Sequence, residues 1–199
     1  MIMCHSEHTL RPHTHTKSVC VCARLKTHDF GAYLDAENKE TNASFWTLIY
    51  RSFFPDLLSL EVMPRGSAAQ RAGVDRVLVL GDGRRVAIQE KVRNLSRPDL
   101  LIEISHVASN GRTWPGWIEH TSADFLLYVQ RPTGTARLWS MPALSRAWTL
   151  NRHGWLLRYT TLIANNGRYR TRSVPIPLSV LPPCRTVTLD PRLLRGGRP

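Results

Sequence analysis

The sequence predicts an α/β fold with a central mixed β-sheet flanked by helices. Short runs of β-branched and aliphatic residues, bounded by Gly and Pro, alternate with segments of helical apolar spacing. The 199 residues suit one domain with tails, and hydrophobic residues make up 42% of them. That share is enough for a packed core, so wholesale disorder is excluded.

Composition divides the chain into three parts. Residues 1–30 show no apolar periodicity, and we expect a disordered leader or a start site assigned too early. Residues 31–182 carry the strand and helix patterns and are expected to form the folded domain. Residues 183–199 are rich in Pro and Arg and are expected to be a basic, flexible tail.

The first predicted elements are a helix, a strand and a helical turn. Residues 35–53 have apolar side chains at helical spacing, and Pro55 ends the segment. Residues 57–63 alternate enough to predict a strand that stops at Pro64. Residues 67–72 predict a single helical turn.

A β-hairpin is the strongest pattern in the chain. Two runs rich in β-branched and aliphatic residues lie at 74–80 (VDRVLVL) and 85–92 (RVAIQEKV). Between them stands Gly81-Asp82-Gly83, which is a turn signal for hairpins. The two runs are therefore predicted to be paired antiparallel strands.

The sequence leaves two registers of this hairpin open. Strand side chains alternate, so Gln89 and Lys91 share one face of the second strand and Glu90 takes the other. A two-residue turn would pair Asp75 with Glu90. A three-residue loop with a bulge would pair Asp75 with Lys91, and only this register gathers Asp75, Gln89 and Lys91 on one face.

The rest of the chain predicts further strands and one helix. Pro98 precedes an apolar run, and turn residues separate the later runs. The predicted elements are a strand at 99–104, a loop at 105–122, a strand pair at 124–130 and 136–141, a short helix at 143–150, and strands at 154–161 and 169–181.

The charge distribution predicts contact with nucleic acid. The chain has 27 Lys and Arg against 15 Asp and Glu, a formal net charge of +12. From residue 125 to the end there are twelve Arg, no Lys and one acid, Asp190. Clustered Arg attracts a phosphate backbone, because each neutralised phosphate releases a counterion.

Five residues are candidates for nucleic-acid contacts. Arg168, Arg170 and Arg172 alternate along one predicted strand face and are candidates for phosphate contacts. Arg112 and Trp114 lie in a Gly- and Trp-containing loop, where they are candidates for clamping a strand or stacking on bases. A Trp in such a loop equally fits a plug for a small core.

The sequence favours a cytoplasmic location. No apolar run reaches the roughly 18 residues of a membrane helix, and the N-terminus lacks the apolar stretch of a secretory signal. Four Cys are too few for a disulfide scaffold, so a reducing compartment is expected. No GxxxxGK loop, GxSxG elbow or HExxH pair occurs, which leaves an ATPase, an α/β-hydrolase and a zinc protease without support.

The polar residues of the hairpin form a candidate metal site, with Asp75, Gln89 and Glu90 as its oxygen ligands. Carboxylate and carbonyl-type oxygens bind a hard divalent cation such as Mg²⁺. Such a cation polarises a phosphate and lowers the pKa of a bound water. Lys91 can orient that water or offset charge in the transition state. An exposed, charged hairpin end is the alternative interpretation.

The stretch Gly73-Val74-Asp75, followed by Ile88-Gln89-Glu90-Lys91, resembles the PD-(D/E)xK nuclease superfamily. It is most similar to the branch with Gln in place of the usual acid, a QxK motif found in methylated-DNA restriction endonucleases and phage-associated relatives. The family core is a helix, three strands, a helix and a further strand. The resemblance therefore implies a restriction-endonuclease-like sheet over residues 35–141.

The resemblance also implies roles for the motif residues. Asp75 and Gln89 are the implied ligands of Mg²⁺ or Mn²⁺, and Lys91 is the implied catalytic lysine. Glu90 stands next to Gln89 as a substitute ligand. The implied activity is metal-dependent hydrolysis of DNA phosphodiester bonds. Many nucleases of this kind act as dimers to cut both strands, so a homodimer is implied as well.

Two other functions remain open. Gln89 is neutral, so the metal site lacks one negative charge, which favours a nuclease-like fold that binds nucleic acid without cutting it. A basic structural or assembly protein of a phage or mobile element is the weaker alternative. Asp75 and Lys91 would then be replaceable without effect.

Three further polar residues are predicted to lie at the surface. Glu103 is a lone acid in an apolar strand and is expected to face solvent at a sheet edge, with a third metal ligand as the alternative. His106 and His120 flank the Gly- and Trp-containing part of the predicted loop at 105–122. They are expected to be exposed loop residues rather than catalytic groups.

Overall fold

A computed structural model describes residues 43–167 and 169–190 of the chain. These residues form a mixed α/β fold with two β-sheets and a few helices. One sheet has six strands and is mixed, and the other has four antiparallel strands. The predicted α/β class and mixed sheet are confirmed, whereas the second sheet was not predicted.

The six-stranded sheet has the order β1-β2-β3-β6-β7-β10, and the four-stranded sheet has the order β5-β4-β9-β8. Within the six-stranded sheet, β3 and β6 run parallel and all other neighbours are antiparallel. The elements are α1 (Ala43–Phe53), β1 (Leu57–Val62), α2 (Ala68–Arg71), β2 (Arg76–Leu80), β3 (Arg85–Arg93), β4 (Asp99–Ala108), β5 (Thr113–Pro115), α3 (Trp117–His120), β6 (Phe125–Gln130), a 3₁₀ turn (Arg131–Thr133), β7 (Thr135–Ser140), α4 (Met141–Arg158), β8 (Leu162–Asn165), β9 (Tyr169–Pro177), a 3₁₀ turn (Leu178–Val180) and β10 (Arg185–Thr188).

Helix α1 covers one face of the six-stranded sheet. Its buried side chains are Trp46, Ile49, Tyr50 and Phe53, whose spacing places them on one helical face. A buried Ile or Phe contributes about 1.5–3 kcal/mol to folding, so this face anchors the helix. The helix ends at Phe53 as predicted, and its predicted start lies outside the described residues.

A second core fills the space between the two sheets and helix α4. Leu126 and Trp139 come from the six-stranded sheet, Ile102 and Val174 from the four-stranded sheet, and Trp148 from α4. The six-stranded sheet therefore carries apolar residues on both faces. A polar side chain on either face of β3 is consequently enclosed by protein, unless it lies near a strand end.

Helix α4 is longer than the sequence predicts. It runs over Met141–Arg158, so the predicted strand at 154–161 is wrong. Trp148 and Trp155, seven residues apart, lie on one helical face and are buried in the second core. Their burial outweighs the cost of about 1 kcal/mol for Gly154 in a helix interior.

The segment predicted as a loop at 105–122 is partly regular. Strand β4 continues through it to Ala108, and both β5 and helix α3 lie within it. Pairing with β9 extends β4, because His106 lies opposite Thr171 in that ladder. Neither the apolar pattern nor the turn signals of the sequence indicate this partner.

The hairpin of β2 and β3 has neither of the two predicted registers. Arg76 pairs with Ile88, which shifts the strands by one residue from the nearer prediction. The Leu80 N–H donates to the carbonyl oxygen of Arg84 (2.9 Å) and closes a three-residue loop without the expected bulge. The Asp82 carboxylate accepts a hydrogen bond from the Arg84 N–H, which stabilises this loop.

The expectation of a flexible tail at 183–199 is wrong for its first part. Arg185–Thr188 forms β10 and pairs along β7. Val187 packs against the core beneath α1, and the Leu189 N–H donates to the carbonyl oxygen of Gly134 (2.8 Å). Residues 1–30, and the tail beyond Asp190, lie outside the described residues.

Candidate active site

Asp75 directly precedes β2, where the chain leaves a tight turn. Gly73 in that turn has a φ of 78°, and an added Cβ would lie 2.6 Å from the Thr121 Oγ1, so glycine is required there. The Asp75 N–H donates to the carbonyl oxygen of Ile88 (2.8 Å). The Asp75 carboxylate accepts a hydrogen bond from the Glu90 N–H (2.8 Å), which fixes it beside β3.

Burial, a hydrogen bond and several charged side chains act on the pKa of the Asp75 carboxyl. Burial raises its pKa above the ordinary value of 3.8, and the negative charge of Glu103 acts in the same direction. The hydrogen bond from Glu90 and the positive charges of Lys91 and Arg76 lower its pKa. A cation added beside this carboxyl would favour its ionised form.

Gln89 carries a buried polar atom without a partner. The residue is 4% exposed, and its Oε1 has no hydrogen-bond partner among the described residues. Leaving a buried acceptor unsatisfied costs about 1–3 kcal/mol, so a folded protein rarely retains one without use. Amide oxygen is a ligand type for hard divalent cations. The Gln89 Oε1 is therefore suited to act as a ligand for a cation.

The protein offers a small ligand set to such a cation. No three His, Cys, Asp or Glu side chains converge on a common point anywhere in 43–167 or 169–190. Asp75 directly precedes Arg76, which pairs with Ile88, so the hairpin register sets the oxygen donors Asp75 and Gln89 opposite each other. Mg²⁺ commonly binds one or two carboxylates and completes its shell with water and substrate phosphate, so two protein donors suit it.

Lys91 follows Gln89 on the same face of β3, as predicted. Its ammonium lies 3.2 Å from the Glu103 Oε1 and 5.9 Å from the centre of the Trp117 ring. The Lys91 side chain is 24% exposed and that of Glu103 is 22% exposed, so solvent and ligands still reach this ion pair. Trp117 is 2% exposed and forms the floor beneath the ammonium.

Glu103 does not face solvent at a sheet edge, so that expectation is wrong. The β4–β9 register shifts between Glu103 and Ser105. This irregularity brings Glu103 and His106, three residues apart, to within 3.8 Å of each other (Oε2 to Nε2). The backbone of Gly116 lies so close to β4 that an added Cβ would stand 1.8 Å from the Glu103 carbonyl oxygen.

His106 is part of this cluster rather than an exposed loop residue. Its Nδ1 lies 3.1 Å from the Thr171 Oγ1. Burial lowers its pKa below the ordinary value of 6.5, against the opposing effect of Glu103. His120, by contrast, is exposed as expected; it ends α3, and its Nδ1 lies 2.8 Å from the Gly116 carbonyl oxygen.

Glu90 lies on the opposite face of β3, so the structure does not bring it together with Gln89. Strand alternation is the reason, and no local twist overcomes it. The Glu90 Oε1 is 2.5 Å from the Arg76 Nε and accepts a hydrogen bond from the Tyr50 hydroxyl. Burial raises the pKa of Glu90 to about 7. Glu90 is therefore not placed to act as a substitute ligand beside Gln89.

The predicted phosphate contacts lie apart from this cluster. Arg170 and Arg172 are exposed and alternate with buried Thr171, as predicted. Because Thr171 faces His106, the two Arg side chains point to the other face of the four-stranded sheet. Arg168 lies outside the described residues.

Trp114 lies beside the cluster, while Arg112 lies in the exposed turn before it. Trp114 stands opposite His106 in the β4–β5 pair, and the two rings stack with centroids 5.4 Å apart. Trp114 is 37% exposed, so it does not plug a core. A stacking role is the one of its two predicted roles that fits this position.

The contacts that Glu103 and Trp117 make with Lys91 were not predicted from the sequence. Glu103 was expected to face solvent, with a third metal ligand as the alternative, and a single acid inside the apolar run DLLIEI is the signal that singled it out. Trp117 was a candidate for stacking on bases, but its contact with Lys91 has no signal in the sequence, because it depends on how α3 packs against β3.

No protein-family model, curated protein or solved structure matches this chain. No helix in the part of the chain that the structure describes is long and apolar enough to span a membrane. The function is therefore inferred from the side chains of the site and from their charges.

Proposed function

We propose that this protein is a metal-dependent endonuclease that hydrolyses DNA phosphodiester bonds with Mg²⁺ or Mn²⁺. The observation that carries the proposal is the buried Oε1 of Gln89, which has no hydrogen-bond partner within the part of the chain that the structure describes. It lies on the strand that also holds Lys91, and Asp75 bonds to the same strand. Two oxygen ligands for a cation, with the Lys91 ammonium on the same strand face as Gln89, are the groups that metal-assisted phosphoryl chemistry requires.

The order of elements supports a restriction-endonuclease-like relationship. A helix, three antiparallel strands and a strand parallel to the third follow one another as α1, β1, β2, β3 and β6. This resembles the core of the PD-(D/E)xK superfamily. Strands β4 and β5 with the short helix α3 stand where that family has its second helix.

Each residue of the site has a role in the proposed reaction. Asp75 and Gln89 would hold the cation, which polarises a phosphate and lowers the pKa of a bound water. Lys91 would hold the attacking water or offset negative charge on the phosphate in the transition state. Glu103 fixes the ammonium of Lys91 at a defined position before substrate binds.

The experiment is a cleavage assay on supercoiled plasmid with Mg²⁺, with Mn²⁺ and with EDTA. The wild-type protein should nick the plasmid in either metal and not in EDTA. Asp75→Ala and Lys91→Ala should each reduce cleavage about 100-fold or more, because each removes a group that acts in the transition state. Plasmid retardation on a gel should be largely unchanged.

The matched control is Asp82→Ala. Asp82 is an exposed carboxylate in the turn of the same hairpin and pairs with Arg84. This variant should cleave at the wild-type rate. The proposal fails if Asp75→Ala and Lys91→Ala both cut as fast as the control.

The alternative function is nucleic-acid binding without cleavage. Two observations favour it, namely the neutral ligand Gln89 and the engagement of the Lys91 ammonium by Glu103. A calorimetric titration with Mg²⁺ separates the two functions. A nuclease should bind the metal through Asp75, whereas a pure binder should retard the plasmid and give no heat with Mg²⁺.

A further inference from the structure

We propose that Trp114, His106 and Tyr169 form a stacking platform for an unpaired nucleobase. The substrate would then be single-stranded or locally unpaired nucleic acid. This substrate preference rests on the proposed nuclease function, whereas base binding by the platform does not.

The three rings form one continuous aromatic surface. Trp114 stacks on His106 with an angle of 27° between their planes. Tyr169 meets His106 edge to face at 5.5 Å and lies 5.7 Å from Trp114. These contacts hold the Trp114 ring in a fixed orientation, so a base that stacks on it loses little additional side-chain freedom.

Trp114 differs from every other Trp in the chain. Of the six, all within the described segments, the other five are at most 7% exposed and belong to the two cores, whereas Trp114 is 37% exposed. It lies on β5, the edge strand of the four-stranded sheet. Its exposed surface is therefore open to a planar ligand. Stacking of a base on an aromatic side chain is worth about 1–3 kcal/mol.

The platform connects directly to the candidate active site. The His106 Nε2 is 3.8 Å from the Glu103 Oε2, and the Glu103 Oε1 is 3.2 Å from the Lys91 ammonium. A nucleotide whose phosphate lies at Lys91 can therefore place a neighbouring base on the rings. In a duplex the paired bases are stacked inside the helix, so only an unpaired base can reach the platform.

The surroundings of the platform suit a nucleic-acid strand. A cavity of about 280 Å³ lies beside Tyr169, between the β4–β5 turn and the β8–β9 turn. Exposed Arg112 lies in the first of these turns. The net charge of +12 adds a general attraction for phosphate. A neutral apolar partner would gain nothing from this positive charge.

The test is a fluorescence titration with oligo(dT) in EDTA, with Trp excited selectively. Because the other Trp residues are buried, stacking should quench Trp114 alone. The wild-type signal should fall saturably, and Trp114→Phe should bind within about threefold of wild type while losing the quench. Trp114→Ala should weaken binding about tenfold or more in a separate anisotropy assay.

The controls are a second variant and a second ligand. Leu58→Ala removes an exposed apolar side chain on β1 and should change neither quench nor affinity. A duplex of equal length should bind at least about tenfold more weakly to the wild-type platform. Equal quenching of Trp114→Phe and wild type would overturn the proposal, as would duplex binding equal to that of oligo(dT).

The two proposals fail in distinguishable ways. Quenching at Trp114, together with plasmid cleavage that survives Lys91→Ala, would retain the platform and reject the nuclease site. Metal-dependent cleavage that requires Lys91, together with no quench by oligo(dT), would retain the nuclease site and reject the platform.

Discussion

Gln89 is a residue at which stability and function are expected to conflict. Its Oε1 is buried and has no partner in residues 43–167 and 169–190. Gln89→Met should therefore stabilise the protein by about 1 kcal/mol, because an unbranched apolar side chain removes the unsatisfied acceptor. The same substitution removes the proposed cation ligand. Denaturant unfolding should show the gain, and calorimetry with Mg²⁺ should show loss of metal binding.

Gln130→Met is the matched control for this prediction. Gln130 is equally buried, but its Nε2 donates to the Arg97 carbonyl oxygen and its Oε1 accepts from the Arg137 guanidinium, each at 2.5 Å. Its replacement should destabilise the protein by about 1–3 kcal/mol. If both substitutions destabilise equally, the Gln89 oxygen has a partner within the fold and is not a free ligand.

Glu90 should make stability depend on pH. Burial raises its pKa from 4.5 to about 7 in the folded protein, where Tyr50, Arg76 and Asp75 are the titratable and charged groups that act on it. The folded state therefore binds the proton more tightly than the unfolded chain. The stabilising contribution is complete below about pH 4.5 and is lost as the pH rises through about 7, by about 3 kcal/mol.

Glu90→Gln isolates this contribution. The neutral amide keeps a polar partner for Tyr50 and Arg76 but does not titrate. Urea unfolding on both sides of the interval from 4.5 to about 7 should show a smaller fall in unfolding free energy for the variant than for wild type. The same pH dependence in both proteins would assign the effect to other groups.

At the scale of elements, the contact of Gly116 with β4 positions the acidic partner of Lys91. A Cβ at Gly116 would stand 1.8 Å from the Glu103 carbonyl oxygen, so Gly116→Ala must push the start of α3 away from β4. We expect a loss of about 3 kcal/mol or more in unfolding free energy.

Gly154→Ala is the control of opposite sign. An added Cβ there meets no atom of the described residues within 4 Å, and Gly154 lies inside α4, so the substitution should stabilise the protein by about 1 kcal/mol. Denaturant unfolding measures both variants. A Gly116→Ala protein as stable as wild type would show that α3 is free to move, and Glu103 would not be fixed by this contact.

Local sequence patterns predicted the elements well where residues close together in the sequence supply the stabilising contacts. The hairpin and the end of α1 at Phe53 follow from residue type and spacing. The loop closure at Leu80 and Arg84 decided the register, and sequence spacing does not specify which pair closes a loop. Packing of Trp155 carried α4 past Gly154, against the local helix signal.

The candidate site was predictable on one strand and not between strands. Gln89 and Lys91 share a face because alternation along a strand is a local property. The pairing of Lys91 with Glu103 joins two different sheets, and the stacking of His106 on Trp114 requires β5, which lay within a predicted loop. Contacts of this kind depend on topology, which the apolar pattern does not encode.

At the scale of the whole molecule, the basic charge is only partly available for a phosphate backbone. Arg84 and Arg85 are exposed but pair with Asp82 and Glu61. Arg152 pairs with Glu119. By contrast, no acid in the described segments pairs with Arg170 or Arg172, which makes these two Arg the better candidates for releasing counterions from nucleic acid.

This difference predicts the salt dependence of binding to nonspecific duplex DNA in EDTA. Affinity should fall linearly with salt on logarithmic axes, and replacing Arg170 and Arg172 by Gln should make the slope shallower by about 1–2, because each phosphate contact contributes about 0.9. Replacing Arg84 and Arg85 by Gln removes the same formal charge. Because both of these Arg already pair with acids, the slope for this double variant should stay close to that of wild type. Anisotropy titrations at several salt concentrations measure all three proteins. Equal slopes for the two double variants would mean that net charge, rather than the exposed face of β9, attracts the backbone.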